Sequence, residues 1–153
     1  MKKLFLIITV ILTLNACYTT PKSEVATNVD FSKYAFAAIG TDTSGSNVIL
    51  ADARIKIQNA LASFGYNVIS DTRISALDFE ERSRLFYVEF SISSNLDESV
   101  CLIYFTDYLS DNIIATFRGS FGFGFNITGD QRGAVDSAIK QMLNVLPQVN
   151  KQN

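Results

Sequence analysis

Few residues in this chain are of a type and spacing that could do covalent or acid–base chemistry. There is no His, so the side chain that most often moves protons near neutral pH, and most often binds metal, is missing. The candidate nucleophiles are two cysteines, Cys17 and Cys101. Cys101 lies in the apolar run Val100-Cys101-Leu102-Ile103-Tyr104-Phe105, where a thiol stays protonated and packs as a small apolar group. Asp97, Glu98, Asp107 and Asp111 fall in two turns that could meet at one end of a strand meander. Hard cations favour such oxygens, but the spacing matches no calcium loop, and nothing marks the burial that would separate the pKa values of a catalytic pair. We therefore expect solvated turn carboxylates, no metal site and no catalytic residue. The stretch Thr41-Asp42-Thr43-Ser44-Gly45-Ser46-Asn47 leads from a strand into a helix N-terminus, where backbone amides can hold an anion. It lacks the Lys of a phosphate-binding loop and the glycine spacing of a dinucleotide fingerprint, so a plain connecting loop is expected, and no cofactor. Gly119, Gly122 and Gly124 interleave with Phe121, Phe123 and Phe125. Within a strand pattern this predicts a glycine face for close backbone approach or a bulge, and a phenylalanine face filling the core. The alternative is an apolar ligand pocket beneath the phenylalanines.

The N-terminus carries the most specific pattern. Lys2 and Lys3 precede an apolar run from Leu4 to Leu14. As a helix, those residues span about 17 Å, well short of the ~30 Å hydrocarbon core of a bilayer. The segment reads as the apolar region of a signal peptide, not as a lasting membrane span. It ends in Leu14-Asn15-Ala16-Cys17, which resembles the lipobox of bacterial lipoproteins. The resemblance implies that the Cys17 thiol receives diacylglycerol, that cleavage follows Ala16, and that the new amine is acylated too. Several acyl chains on one residue provide stable anchoring where a single chain does not. Tyr18, rather than Asp, follows Cys17; by resemblance to enterobacterial sorting rules this implies the outer membrane. With Cys17 modified, Cys101 has no disulfide partner.

Thirteen Lys+Arg against fifteen Asp+Glu make a net charge of −2, which becomes −4 once the leader and its two lysines are removed. Such a chain lacks the clustered positive charge a nucleic-acid binder needs, and gains nothing from an anionic membrane surface. At 48% hydrophobic and 18% charged residues over 153 positions, it can bury a core large enough for one domain. The expected organisation is a signal peptide over residues 1–16, a lipidated Cys with a flexible tether over 17–29, one domain over 30–147 and a polar tail over 148–153. The tether sequence YTTPKSEVATNV has neither helical nor strand period, and its length allows a reach of at most ~40 Å.

The elements of the domain follow from periodicity. Tyr34 to Ile39 reads as a short buried strand ended by Gly40. Leu50, Ala53, Ile57, Leu61 and Phe64, widened by Ile49 and Ala60, make one apolar stripe of a helix that Gly65 stops. Tyr66 to Ser70 reads as a second strand, so a parallel β-α-β crossover is expected. Asp71 to Arg84 fits either a short amphipathic helix or an irregular loop. Phe86, Val88, Phe90 and Ile92 alternate with Tyr87, Glu89, Ser91 and Ser93 as in a half-buried strand. Val100–Tyr108 reads as a central strand and Ile113–Phe125 as a long one. Thr128-Gly129-Asp130-Gln131 has capping-box spacing ahead of a helix whose stripe is Val135, Ala138, Ile139, Met142, Leu143 and Leu146, closed by Pro147. The fold class is α+β: a two-layer sandwich of one mixed sheet of about five strands, with two main helices on one face.

The opening Asp30-Phe31-Ser32-Lys33-Tyr34, the step Phe64-Gly65-Tyr66 and a last helix closing near a Pro resemble a family of bacterial envelope lipoproteins known only as a domain of unknown function. Members often carry a Trp after the first strand, where this chain has Ile39. The order of elements is similar to the N-terminal domain of TolB-like periplasmic proteins, a likeness of fold that transfers no function. Neither resemblance brings catalytic residues. The expected function is a non-catalytic, lipid-anchored envelope module. It would bind a protein partner, or itself as a homo-oligomer, through the sheet face opposite the helices, where Tyr87, Tyr104 and Tyr108 fall. The alternative is a module for a small apolar or glycan-derived ligand seated between the phenylalanine strand and the helices.

Overall fold

The computed structural model describes residues 23–40, 48–122 and 126–146. Cys17 with the signal peptide, the loop over residues 41–47, Phe123 to Phe125, Pro147 and the tail lie outside the described residues.

The alternation of Phe86, Val88, Phe90 and Ile92 forms a strand whose odd and even residues face opposite ways, and the strands around it complete one open mixed sheet of six. In chain order these are β1 (Ser23–Val25), β2 (Phe36–Ile39), β3 (Asn67–Ser70), β4 (Leu85–Ser94), β5 (Ser99–Asp107) and β6 (Ile113–Phe121). Across the sheet the order is β1-β6-β5-β4-β2-β3. The strand β2 runs parallel to both β3 and β4, and β4, β5 and β6 form the antiparallel meander. The expected β-α-β crossover is present: helix α1 (Val48–Ser63) joins β2 to β3 and buries Ala53, Ile57 and Leu61. It ends before Gly65, whose φ of 96° is open to glycine at little cost.

The last helix, α3 (Ile127–Val145), packs along β6 and β5 and against α1. It buries Ala134, Val135, Ala138 and Met142, while Leu143, expected on the same stripe, is exposed. Lys56 of α1 donates to Asp136 of α3 at 2.7 Å and lies 4.0 Å from Asp52, which Arg132 approaches at 3.9 Å. Beneath the helices runs a chain of rings. Centroids are 5.5 Å apart for Tyr34–Phe86, 5.1 Å for Tyr66–Phe86, 4.6 Å for Phe86–Phe105 and 5.1 Å for Phe105–Phe117. All four pairs meet edge-on or tilted, the arrangements that suit ring quadrupoles.

Several expectations are corrected. Among the described residues the sheet has six strands rather than about five, because Ser23–Val25, assigned above to the tether, adds an edge strand to β6. A backbone ladder needs no side-chain period, so three residues can pair without announcing it. The first inner strand starts at Phe36, not Tyr34, and β6 is described only to Phe121. Between β3 and β4, both alternatives occur in turn. A 3-10 helix over Asp71–Ala76 is followed by the short helix α2 (Phe79–Ser83), with a capping box between Asp78 and Glu81. The box expected at Thr128 and Gln131 does not form. Helix α3 begins earlier, capped by Asn126, whose side chain accepts from the Gly129 amide at 3.3 Å, and Gln131 instead donates to Ser94 Oγ at 3.2 Å. Gly119 shares a face with Phe117 instead of opposing it, and both are buried.

Candidate functional site: the open sheet face

Both long helices lie on the side of Phe86, Val88, Ile103, Phe105 and Phe117, all buried. Pleating then sends the alternate residues of β4, β5 and β6 to the other side. Register aligns them in cross-strand rows: Glu24–Thr116–Tyr104–Glu89, then Arg118–Leu102–Ser91, then Ser120–Val100–Ser93. Tyr104, Leu102, Val100, Thr116 and Arg118 are half-buried, and Glu24 and Glu89 are exposed. Tyr87 opposes Thr106, and a register shift at Phe105/Thr106 brings exposed Ile113 into the same row. Half-covered tyrosines and aliphatics bordered by carboxylates suit contact with another protein, since a Tyr offers apolar area and a polar tip together. The Arg118 guanidinium reaches Glu98 at 3.3 Å, which fixes one charge at the margin of the face.

Of the three tyrosines expected there, Tyr87 and Tyr104 stand in these rows. Tyr108 falls one residue beyond β5; its N–H donates to the Leu85 carbonyl at 3.2 Å and the residue is exposed at the end of the sheet. Among the described residues, the face is open over β4, β5 and β6 and closed toward β2. Ala38 and Leu85, on Tyr87's side of the sheet, are fully buried, and the Asp71–Ala76 turn packs against β2 and β3. Tyr87 lies at this boundary, its hydroxyl close over Gly40, where an added Cβ would stand 2.6 Å from it. Burial, then the nearby Asp71 and Glu89, raise the Tyr87 pKa, and Arg54 opposes them. Thr116 and Arg118 were legible as the even positions of Ile113–Phe121; Ile113 was not, because the register shift changes its neighbours.

The carboxylates behave differently from the expectation. Consecutive turns of a meander lie at opposite ends, so Asp97 and Glu98 cannot meet Asp107 and Asp111. Asp107 is buried, not solvated. It accepts from Tyr34 Oη at 2.7 Å, Lys33 Nζ at 3.0 Å, the Ser110 amide at 2.9 Å, the Leu109 amide at 3.1 Å and Ser110 Oγ at 3.0 Å. Burial alone would raise its pKa, but the Ser110 amide, the Tyr34 hydroxyl and the Lys33 ammonium hold it well below the usual carboxylate range. Burial and the same bond push Tyr34 up to about 12. These five hydrogen bonds clasp Lys33 and Tyr34 to the end of β5. Burial likewise pushes the Cys101 thiol up to about 12, in keeping with a packing role. Among the described residues no cluster of His, Cys, Asp or Glu could hold a metal, and no helix is long and apolar enough to cross a membrane.

No family model and no curated protein matches this chain. Among solved structures, the PelC dodecamer from Paraburkholderia phytofirmans is similar with a TM-score of 0.48 at 11% identity, over 83% of this chain and 99% of that one. A point variant of PelC from the same organism gives a TM-score of 0.46 at 12% identity, over 80% and 96%. Likeness at this level assigns neither activity nor assembly.

Proposed function

We propose that this chain is a non-catalytic module of the bacterial envelope, anchored at the outer membrane through lipid on Cys17, that binds a protein partner or a second copy through the open sheet face. The observation that carries this reading is the row of half-covered side chains Tyr104, Leu102 and Val100 on β5, with Tyr87 beside them, on the face opposite the one that the two long helices cover. The reading as a small-ligand module draws less support. Phe123 and Phe125, under which that pocket was expected, lie outside the described residues, and at Gly119 the backbone of α3 approaches the strand directly.

Tyr104→Asp tests the face. In acylated full-length protein captured from detergent-solubilised envelopes, the substitution is expected to abolish the co-purifying partner or the oligomer while the circular dichroism spectrum stays unchanged. A well-folded variant with an unaltered capture profile and unaltered particle mass refutes the face. Intact-mass measurement of the mature protein tests the anchor separately: it is expected to begin at Cys17 and to carry acyl chains.

A further inference from the structure

We infer that the end of the domain bearing the β4–β5 turn, with Leu96 at its tip, rests in the interfacial layer of the bilayer that holds the chain; this rests on the reading of Cys17 as the lipidated residue.

Three observations meet there. The first is direction. Because β1 is antiparallel to β6, pairing Ser23 with Phe117 and Val25 with Ala115, the chain arriving from Cys17 enters from the Phe121 end of the sheet. The second is reach. Cys17 precedes Ser23 by six residues, which extend to at most about 20 Å. Ser23 lies four residues short of the Phe121 end of β6, and those residues take up about 13 Å of that length. The lipid attachment can therefore stand no more than about 7 Å beyond the level of Phe121, and the Asn95–Glu98 turn projects into that interval. The edge strand thus replaces the long tether expected from sequence with a short one.

The third is chemistry. Leu96 is 93% exposed, Ile127 62% and Phe121 44%, and all three sit at this one end. The turn presenting Leu96 is built rigidly. Asn95 Oδ1 accepts from the Asp97 and Glu98 amides at 2.8 Å each, and the Asn95 amide donates to the Glu98 carbonyl at 3.0 Å. Gly122 backs directly onto it, since a Cβ there would stand 2.6 Å from the Asp97 carbonyl oxygen. A leucine held out in water on an ordered tip, on the side that faces the anchor, is a shallow apolar contact for a lipid surface. The charges at this end fit zwitterionic lipid: Glu98 is paired with Arg118, and Asp97 stays exposed beside Leu96. Anionic lipid should therefore not strengthen the contact.

The chain contains no Trp, so a single introduced indole reports its own position. Acylated full-length protein carrying Leu96→Trp, or Leu109→Trp in the β5–β6 turn at the opposite end, is reconstituted into phosphatidylcholine vesicles. Leu109 is also exposed, at 52%, which makes it a matched control. The Leu96→Trp indole is expected to shift its emission to the blue and to lose intensity to lipids brominated about 5–10 Å below the headgroup boundary. The Leu109→Trp indole should do neither. A Leu96→Trp protein that floats with the vesicles yet emits as in water, or is shielded without quenching by brominated lipid, overturns the inference and leaves the anchor standing. Failure of the unsubstituted protein to float overturns the anchor, and this inference with it.

Discussion

Gly119→Ala measures how closely α3 is seated on the sheet. An added Cβ would run into the Ala134 carbonyl oxygen and the Ala138 amide nitrogen, and would lie 2.8 Å from Ala138 Cα. Unbonded carbons rest at about 3.5–4.0 Å, so the helix backbone would have to retreat by roughly 1 Å. Nothing flexible can yield, because all three atoms are main chain. The retreat would loosen Ala134, Val135, Ala138 and Met142 against β5 and β6 together. Overpacking costs about 1–3 kcal/mol, and a clash with rigid backbone belongs at or above the upper end of that range. For a folded domain of about 120 residues, about 3 kcal/mol corresponds to a fall in Tm of roughly 10–15 °C. Urea and thermal unfolding followed by circular dichroism read the change, with an unaltered urea slope marking loss of stability alone. A Tm unchanged within error would refute the close approach of helix and strand, and with it the reason for a glycine at this position.

Two further outcomes concern buried polar groups. The Tyr66 hydroxyl is buried and finds no hydrogen-bond partner among the described residues, and burial pushes its pKa up to about 12. Tyr66→Phe is therefore expected to stabilise the fold by about 1 kcal/mol; a loss of stability on thermal melting would reveal a partner for the hydroxyl. Asp107 is ionised in the native state at pH values where the unfolded chain has taken up a proton, near pH 3.9 and below. Its contribution is thus complete above about pH 4 and declines as the pH falls toward its lowered native pKa. Asp107→Asn should cost about 2 kcal/mol at pH 7 and flatten the acid limb of the stability profile between about pH 4 and pH 2. An acid limb identical to that of the unsubstituted protein would refute the clasp.

Side-chain period determined much of this fold within the sequence. The stripe of Ala53, Ile57 and Leu61 marked α1, that of Val135, Ala138 and Met142 marked α3, and the alternation through Phe86 and Val88 already placed Tyr87 on the opposite face. These signals are local, because a helix or a pleat repeats over a few residues whatever surrounds it. The tertiary structure alone decided what depends on distant partners. Asp107 reads as one more turn carboxylate until Lys33 and Tyr34, more than seventy positions away, close on it. Ser23–Val25 has no strand period and pairs only because β6 leaves an edge free beside it. The helix packed on Gly119, and the burial of Ala38 and Leu85 that narrows the open face, likewise follow from how whole elements meet. Short-range pattern is written along the chain, whereas long-range pairing is chosen by the geometry of the assembled sheet.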